Sequence, residues 1–237
     1  MNFSRLHAGR WQVMQMFESF MIENMPQKYI AIAVVGGSED EPELQCLQQL
    51  GINYDVTLFG ISGNGYNLDL NFEHQVTSEF KGKFDLVICC QVLEHVWNMQ
   101  AAIDNLELLT SVGGLIYINV PASNMKHESP EYFSAGYQPK LFINLLSLRG
   151  IETLLAGDTG SKRLYFMIHK QQYWPTYLEH RFPFLRGIQR SPWLFPLRFV
   201  KYFVSNFQSL FWSSKFMRSS QFSTETFYLG KKLNDRA

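Results

Sequence analysis

The chain is short of several things, and each shortage removes a class of protein. Its three cysteines, Cys46, Cys89 and Cys90, are too few and too unevenly spaced for a disulfide framework or a four-ligand zinc site, so a reducing, cytoplasmic setting is the default. No run of about 18 uninterrupted apolar residues exists, which argues against a transmembrane helix. Glu18 and Glu23 interrupt the apolar run that a signal peptide needs. Net charge is missing as well: 21 basic residues balance 21 acidic ones, which argues against a surface built wholly for nucleic acid. Gly-x-Ser-x-Gly, Gly-Lys-Ser/Thr, His-Glu-x-x-His and a Gly-x-Gly-x-x-Gly after the first strand are all lacking. Hydrolase, nucleotide triphosphatase, zinc protease and nicotinamide dehydrogenase readings therefore have little support.

What is present is a globular composition, 46% hydrophobic over 237 residues, long enough for one elaborated domain. Residues 1–27 read as an amphipathic helix, with Trp11, Met14, Phe17 and Met21 at helical spacing. From residue 28 strands and helices alternate. Residues 29–35 form an apolar strand ended by Gly36-Gly37, and Pro42 to Leu50 a helix stopped by Gly51. Strands follow at 55–61 and around 66–70. Phe84 to Cys90 is a strand, Val96 to Leu109 a helix, and Gly113-Gly114 a turn into a strand at 115–120, which makes a right-handed βαβ crossover. A further helix spans 139–148. Residues 151–156 and 163–169 read as a hairpin joined by Gly157-Asp158-Thr159-Gly160-Ser161, and Thr226 to Gly230 as a final strand. The expected fold is α/β, a doubly wound, mostly parallel sheet with ligands beyond the carboxyl ends of its strands. Its divisions are an N-terminal helix (1–27), an α/β core (28–170), a Phe/Arg-rich insertion (171–224) and a last strand and tail (225–237).

Phe-Asp-Leu-Val-Ile-Cys-Cys-Gln-Val-Leu-Glu-His-Val from Phe84, then the helix, then Gly-Gly-Leu-Ile-Tyr-Ile-Asn-Val-Pro ending at Pro121, resembles the class I S-adenosylmethionine-dependent methyltransferases, in their small-molecule branch. The resemblance implies a Rossmann-like methyltransferase fold with S-adenosylmethionine as cofactor. It implies a cofactor loop at Gly36, Gly37, Ser38 and Glu39, an adenine neighbour at Asp69 and Leu70, and a border at Cys90 and Gln91. The family's first loop usually reads acidic-x-Gly-x-Gly-x-Gly; the aligned residues here are Val34, Gly36, Ser38 and Asp40, and Gly60 falls where an acidic residue usually grips the ribose. Gly37 can supply the close approach, and Glu39 or Asp40 can hold an ammonium or ribose. Equally, Glu39, Asp40, Glu41 and Glu43 suit a helix N-terminus as plain dipole partners. The altered loop leaves an alternative: a relative without the cofactor site, serving as a binding or scaffold subunit.

Methyl transfer from a sulfonium demands alignment and desolvation of the acceptor, and a general base helps if the acceptor is a hydroxyl. His95, after the fourth strand, and His127, in the loop after Pro121, are the candidate bases, with Glu128 beside the second. Each also suits an ordinary structural or exposed role. Tyr132, Phe133 and Tyr137 on that loop read either as an acceptor-pocket wall or as anchors pinning the loop. Cys89 and Cys90 point to opposite faces of a strand and so do not share a metal readily; no metal site is expected.

The zero net charge conceals a split: residues 1–120 carry 5 Lys/Arg and 14 Asp/Glu, residues 121–237 carry 16 and 7. No acidic residue lies between Glu179 and Glu225, while Phe199, Phe203, Phe207 and Phe211 recur every fourth position among arginines. A cationic aromatic helix within 182–222 fits an anionic membrane interface and a lipid-linked acceptor. The plainer reading packs that stripe over the sheet or a second subunit. Nucleic acid is a weaker third option, and the oligomeric state is not written in the sequence.

Overall fold

The computed structural model describes residues 8–24, 29–61, 65–123, 131–160 and 223–235. Among the described residues, four helices, α1 (Ala8–Asn24), α2 (Pro42–Gln49), α3 (Met99–Leu109) and α4 (Pro139–Ser147), flank seven strands: β1 (Ile30–Val35), β2 (Tyr54–Gly60), β3 (Tyr66–Asn67), β4 (Phe84–Cys90), β5 (Thr110–Pro121), β6 (Ile151–Thr159) and β7 (Glu225–Lys232). They form one sheet in the order β3-β2-β1-β4-β5-β7-β6. The pairs among β1 to β5 are parallel; β7 runs antiparallel between β5 and β6. This is the doubly wound sheet that the alternation of elements predicts.

Side-chain alternation along the strands sorts the core into two layers. Ile32, Val34, Leu86, Ile88, Tyr117 and Leu229 pack with Met14, Phe17 and Met21 of α1 and Leu44 and Leu47 of α2. Ala33, Val35, Val87, Cys89, Ile116 and Ile118 pack with Ala102, Leu106 and Leu109 of α3 and Phe142 and Leu146 of α4. Cys89 and Cys90 thus face opposite layers, as the strand period requires.

Three expectations are corrected. Val96 does not begin a helix: Leu93–His95 is a separate 3-10 turn, and α3 starts at Met99, where the Asn98 side chain accepts from the Ala101 amide at 3.2 Å. Gly113-Gly114 is not a turn before a strand. It is an irregularity inside β5, which pairs Phe84 with Thr110 and then Leu86 with Leu115, and Gly113 takes a φ of 83°. Gly157 and Asp158 are not a hairpin turn either; they lie in β6 opposite Phe227 and Thr226 of β7. A Cβ at 157 would lie 3.1 Å from the Phe227 ring, a tight contact that a small shift of the ring would have to relieve. The expected strand at 163–169 lies outside the described residues, as do His127, Glu128 and the Phe-rich stretch 182–222.

Candidate functional site

The carboxyl ends of β1 and β4 are adjacent, and the chain leaves both through the left-handed region. Gly36 has φ 73° and Gln91, with a side chain to strain it, φ 56°. The Gly36 amide donates to the Phe59 carbonyl at 2.7 Å and the Gln91 amide to the Asn119 carbonyl at 2.8 Å, so both turns are tied to neighbouring strands. Being antiparallel, β7 delivers its first residue, Glu225, to this same edge, opposite Pro121. There Gln91 Nε2 donates to Glu225 Oε2 at 2.9 Å and to Asn119 Oδ1 at 3.1 Å, and Asn119 Nδ2 donates to Glu225 Oε2 at 3.2 Å.

On the α1 side of this edge lies a buried charged group. Arg10 of α1 reaches Glu41 Oε2 at 3.0 Å and Glu43 Oε2 at 3.5 Å. Burial opposes its charge, but Glu43, Cys90, Glu41 and Glu225 more than offset that, and the guanidinium is held ionised. Glu43, 0% exposed, has its carboxyl pushed up by burial against the pull of Arg10. It accepts from the Cys90 thiol at 3.4 Å. Tyr117 is buried beside them, its phenol raised first by burial and then by Glu43.

On the other side, the 3-10 turn sets His95 next to buried Glu94. His95 Nδ1 meets the Glu131 carbonyl, which can only accept; the neutral ring therefore carries its proton on Nδ1 and a lone pair on Nε2. Nε2 is 3.9 Å from Glu94 Oε1. The Glu94 carbonyl accepts from the Phe133 and Ser134 amides, and the Tyr137 hydroxyl donates to the Leu93 carbonyl. Tyr137 is thus an anchor of the loop, Tyr132 stands with its ring 6.0 Å from that of His95, and Phe133 is exposed.

The edge brings together Gly36, Gly37, Cys90, Gln91 and His95 of the residues singled out in the sequence. Ser38 and Glu39 are exposed beyond Gly36. Asp69 turns its carboxylate onto the Asn71 amide and side chain at 2.9 and 3.0 Å, and Leu70 is buried. Glu43 is not the solvated dipole partner that its neighbours Glu39 and Asp40 resemble. Arg10, Asn119, Tyr117 and Glu225 are additional members. Glu225 had a visible signal, as the first acidic residue after the acid-free stretch from 180 to 224.

A cavity of about 500 Å³ opens at the opposite, amino edge, lined by Glu73, His74, Lys81, Glu107, Lys232 and Asp235. Its central cation is already paired: Lys232 Nζ lies 2.8 Å from Glu107 and 2.9 Å from Asp235. Among the described residues no group of three or more His, Cys, Asp or Glu is placed to hold a metal ion, and no helix is long and apolar enough to cross a membrane.

Comparison with known proteins gives the architecture a family. No curated protein matches the chain. Solved structures do, at low identity. The [4+2]-cyclase SpnF matches at 11% identity and TM-score 0.52, over 92% of this chain and 80% of that one. A Haemonchus contortus phosphoethanolamine N-methyltransferase 2 in complex with S-adenosyl-L-methionine matches at 9% and 0.51, over 96% and 56%. Coclaurine N-methyltransferase bound to N-methylheliamine and SAH matches at 12% and 0.50, over 92% and 70%. At these identities they show a shared fold. The methyltransferase domain family matches residues 35–158, more than half of the chain. The chain belongs to this methyltransferase domain family, within the class I S-adenosylmethionine-dependent methyltransferases.

Proposed function

We propose that the carboxyl edge binds S-adenosylmethionine with its amino-acid end against Gly36, Gly37 and Gln91 and its adenine end towards Asp69 and Leu70. The methyl group goes to a small-molecule or lipid-linked acceptor whose nucleophile is nitrogen or oxygen, with His95 as base. The observation that carries this reading is the pair of left-handed turns, Gly36 and Gln91, at neighbouring strand ends. Exposed Gly36 lets a ligand approach the backbone, and Ser38, Glu39 and Asp40 stand beyond it. The residues present fit the amino-acid end of the cofactor well. The ribose end is less provided for, since β2 ends in Gly60 and exposed Ile61.

When bound, the cofactor supplies an electrophilic methyl group. The chain supplies the rest. His95 Nε2 takes the proton from the acceptor heteroatom, and Glu94, 3.9 Å away, stabilises the imidazolium that results. The loop 131–137, pinned by Tyr137 and the Glu94 carbonyl, closes one side against water. His127 lies outside the described residues and is the second candidate base.

Peripheral membrane contact through 182–222 is part of the same proposal. The Thr224 amide donates to the Thr159 carbonyl at 2.8 Å, so residues 159 and 224 are held together at the edge that carries the site. The basic, aromatic sequence of 182–222 suits a lipid-linked acceptor.

The test is transfer of label from methyl-labelled S-adenosylmethionine to a panel of amines, phenols and lipid-linked acceptors. The reading expects labelled acceptor and stoichiometric S-adenosylhomocysteine, with the rate lowered about 10²- to 10⁴-fold in His95→Ala. Retention of the full rate in His95→Ala contradicts the assigned base. Co-sedimentation with anionic vesicles, lost on deletion of 182–222, tests the membrane contact.

A further inference from the structure

Two side-chain amides at the carboxyl edge have no freedom of orientation. Asn119 is fully buried, and its Nδ2 lies 3.2 Å from the Thr226 carbonyl and 3.2 Å from Glu225 Oε2. A backbone carbonyl can only accept, so Asn119 must turn its NH2 group that way and its oxygen towards Gln91. Gln91 Nε2 donates to that oxygen at 3.1 Å and to Glu225 Oε2 at 2.9 Å, which uses both of its hydrogens. Reversing the Gln91 amide would set its oxygen against two others, and reversing Asn119 would set oxygen against the Thr226 carbonyl. The polarity of both groups is therefore fixed by one buried backbone carbonyl.

What remains to Gln91 is Oε1, which accepts and cannot donate. It takes no hydrogen bond from the described residues, and on this half-buried side chain it is open to solvent rather than sealed in the core. The Asn119 main-chain carbonyl also accepts from the Gln91 amide at 2.8 Å, so one residue holds both the backbone and the side chain of Gln91. A glycine would take the φ of 56° without strain but would present no amide. The strained turn carries a side chain, and the exposed acceptor is the use it has there.

We propose that Gln91 Oε1 accepts a hydrogen bond from the ammonium of the cofactor's amino-acid end, and that Asn119 is the positioning residue that sets this preference. Asn119 is out of the ligand's reach, being fully buried, and acts through Gln91. The inference rests on the methyltransferase reading above and gives the amino-acid end a direction. Its ammonium is drawn to the end of β4 by a charge-assisted hydrogen bond, while its carboxylate would meet only lone pairs at Oε1 and is turned away.

The experiment is isothermal titration of the full chain at pH 7 with S-adenosylhomocysteine and with its deaminated analogue, in which hydrogen replaces the α-ammonium group. The unsubstituted protein is expected to bind S-adenosylhomocysteine at least about tenfold tighter than the analogue, about 1.4 kcal/mol. Gln91→Met keeps the length of the side chain but removes the acceptor, and is expected to abolish this preference while leaving affinity for the analogue unchanged. Asn119→Leu is expected to reduce the preference severalfold, because the released Gln91 amide can turn either way. Unchanged affinity for the analogue shows in the same titration that a variant is folded, and Gln91→Met serves alone if Asn119→Leu does not fold. Equal binding of the two ligands by the unsubstituted protein, or a preference that survives either substitution, overturns the proposal and leaves the methyltransferase reading standing, since S-adenosylhomocysteine still binds. Failure of both ligands to bind contradicts that reading and the proposal with it.

Discussion

Gln91 and Glu225 lie 134 residues apart in the chain, yet Gln91 Nε2 donates to Glu225 Oε2 at 2.9 Å. The contact exists because β7 enters the sheet antiparallel beside β5 and so starts at the edge where β4 ends. Gln91 keeps it while adopting a φ of 56°, which costs roughly 1–2 kcal/mol for a residue with a Cβ. Gln91→Gly and Gln91→Ala both remove the hydrogen bonds, but only glycine removes the backbone cost. Urea denaturation is expected to find the glycine variant more stable by about 1 kcal/mol. The opposite order contradicts the assigned strain.

Gly36 carries the second prediction. A Cβ there would lie 2.5 Å from Val92 Cγ2, and the backbone φ is 73°. Gly36→Ala is expected to lose about 1–2 kcal/mol of stability, and Gly36→Ala/Val92→Ala to recover only the steric share. Unfolding midpoints of the two variants separate the contributions; full recovery in the double variant shows that the left-handed backbone costs nothing.

The buried pair of Arg10 and Glu43 makes a pH-dependent contribution. Burial raises the Glu43 carboxyl above its ordinary value of 4.5, so the native state binds a proton that the unfolded chain has released. By linkage, that contribution is fully present below about 4.5 and is lost as pH rises through the folded value. Unfolding free energy measured against pH is expected to fall over that window, and Glu43→Gln to flatten it. Arg10→Met strands Glu41 and Glu43 and is expected to cost about 3–5 kcal/mol near neutrality, less when Glu43→Gln accompanies it.

The three thiols are expected to be inert in the folded protein. Cys46, Cys89 and Cys90 are all buried. The Cys46 thiol is pushed up to about 12, by burial first and then by Glu18 and Glu43, and burial raises Cys89 and Cys90 as well. A thiol-reactive chromophore is expected to label none of them quickly in buffer and all three in denaturant. Rapid labelling of the native protein contradicts the placement of these residues in the two core layers.

The parts of the fold that could be read from the sequence are those with local signatures. The apolar run Phe84 to Cys90 and the 3.6-residue spacing of Ala102, Leu106 and Leu109 reflect burial of a strand on both faces and of a helix on one. The pairing of β6 was not readable. Gly157-Asp158 looks like turn chemistry, while in the fold both lie within β6, where a Cβ at 157 would crowd the Phe227 ring about 70 positions further along. For the site, Gly36 and Gln91 follow from the ends of β1 and β4. Arg10, Tyr117 and Glu225 do not, because a helix polar face, a strand tyrosine and a strand-start glutamate carry no motif until the sheet brings them together. The partners of Arg10 and Glu225 are long-range, Glu43 for the first and Gln91 for the second.

The cofactor site at Gly36 and Gln91 is tested most directly by isothermal titration of the full chain with S-adenosylhomocysteine. A dissociation constant in the micromolar range, weakened at least about tenfold, or about 1.4 kcal/mol, in Gly36→Ala, is the predicted result. No binding tighter than about 1 mM, near 4 kcal/mol, contradicts the site.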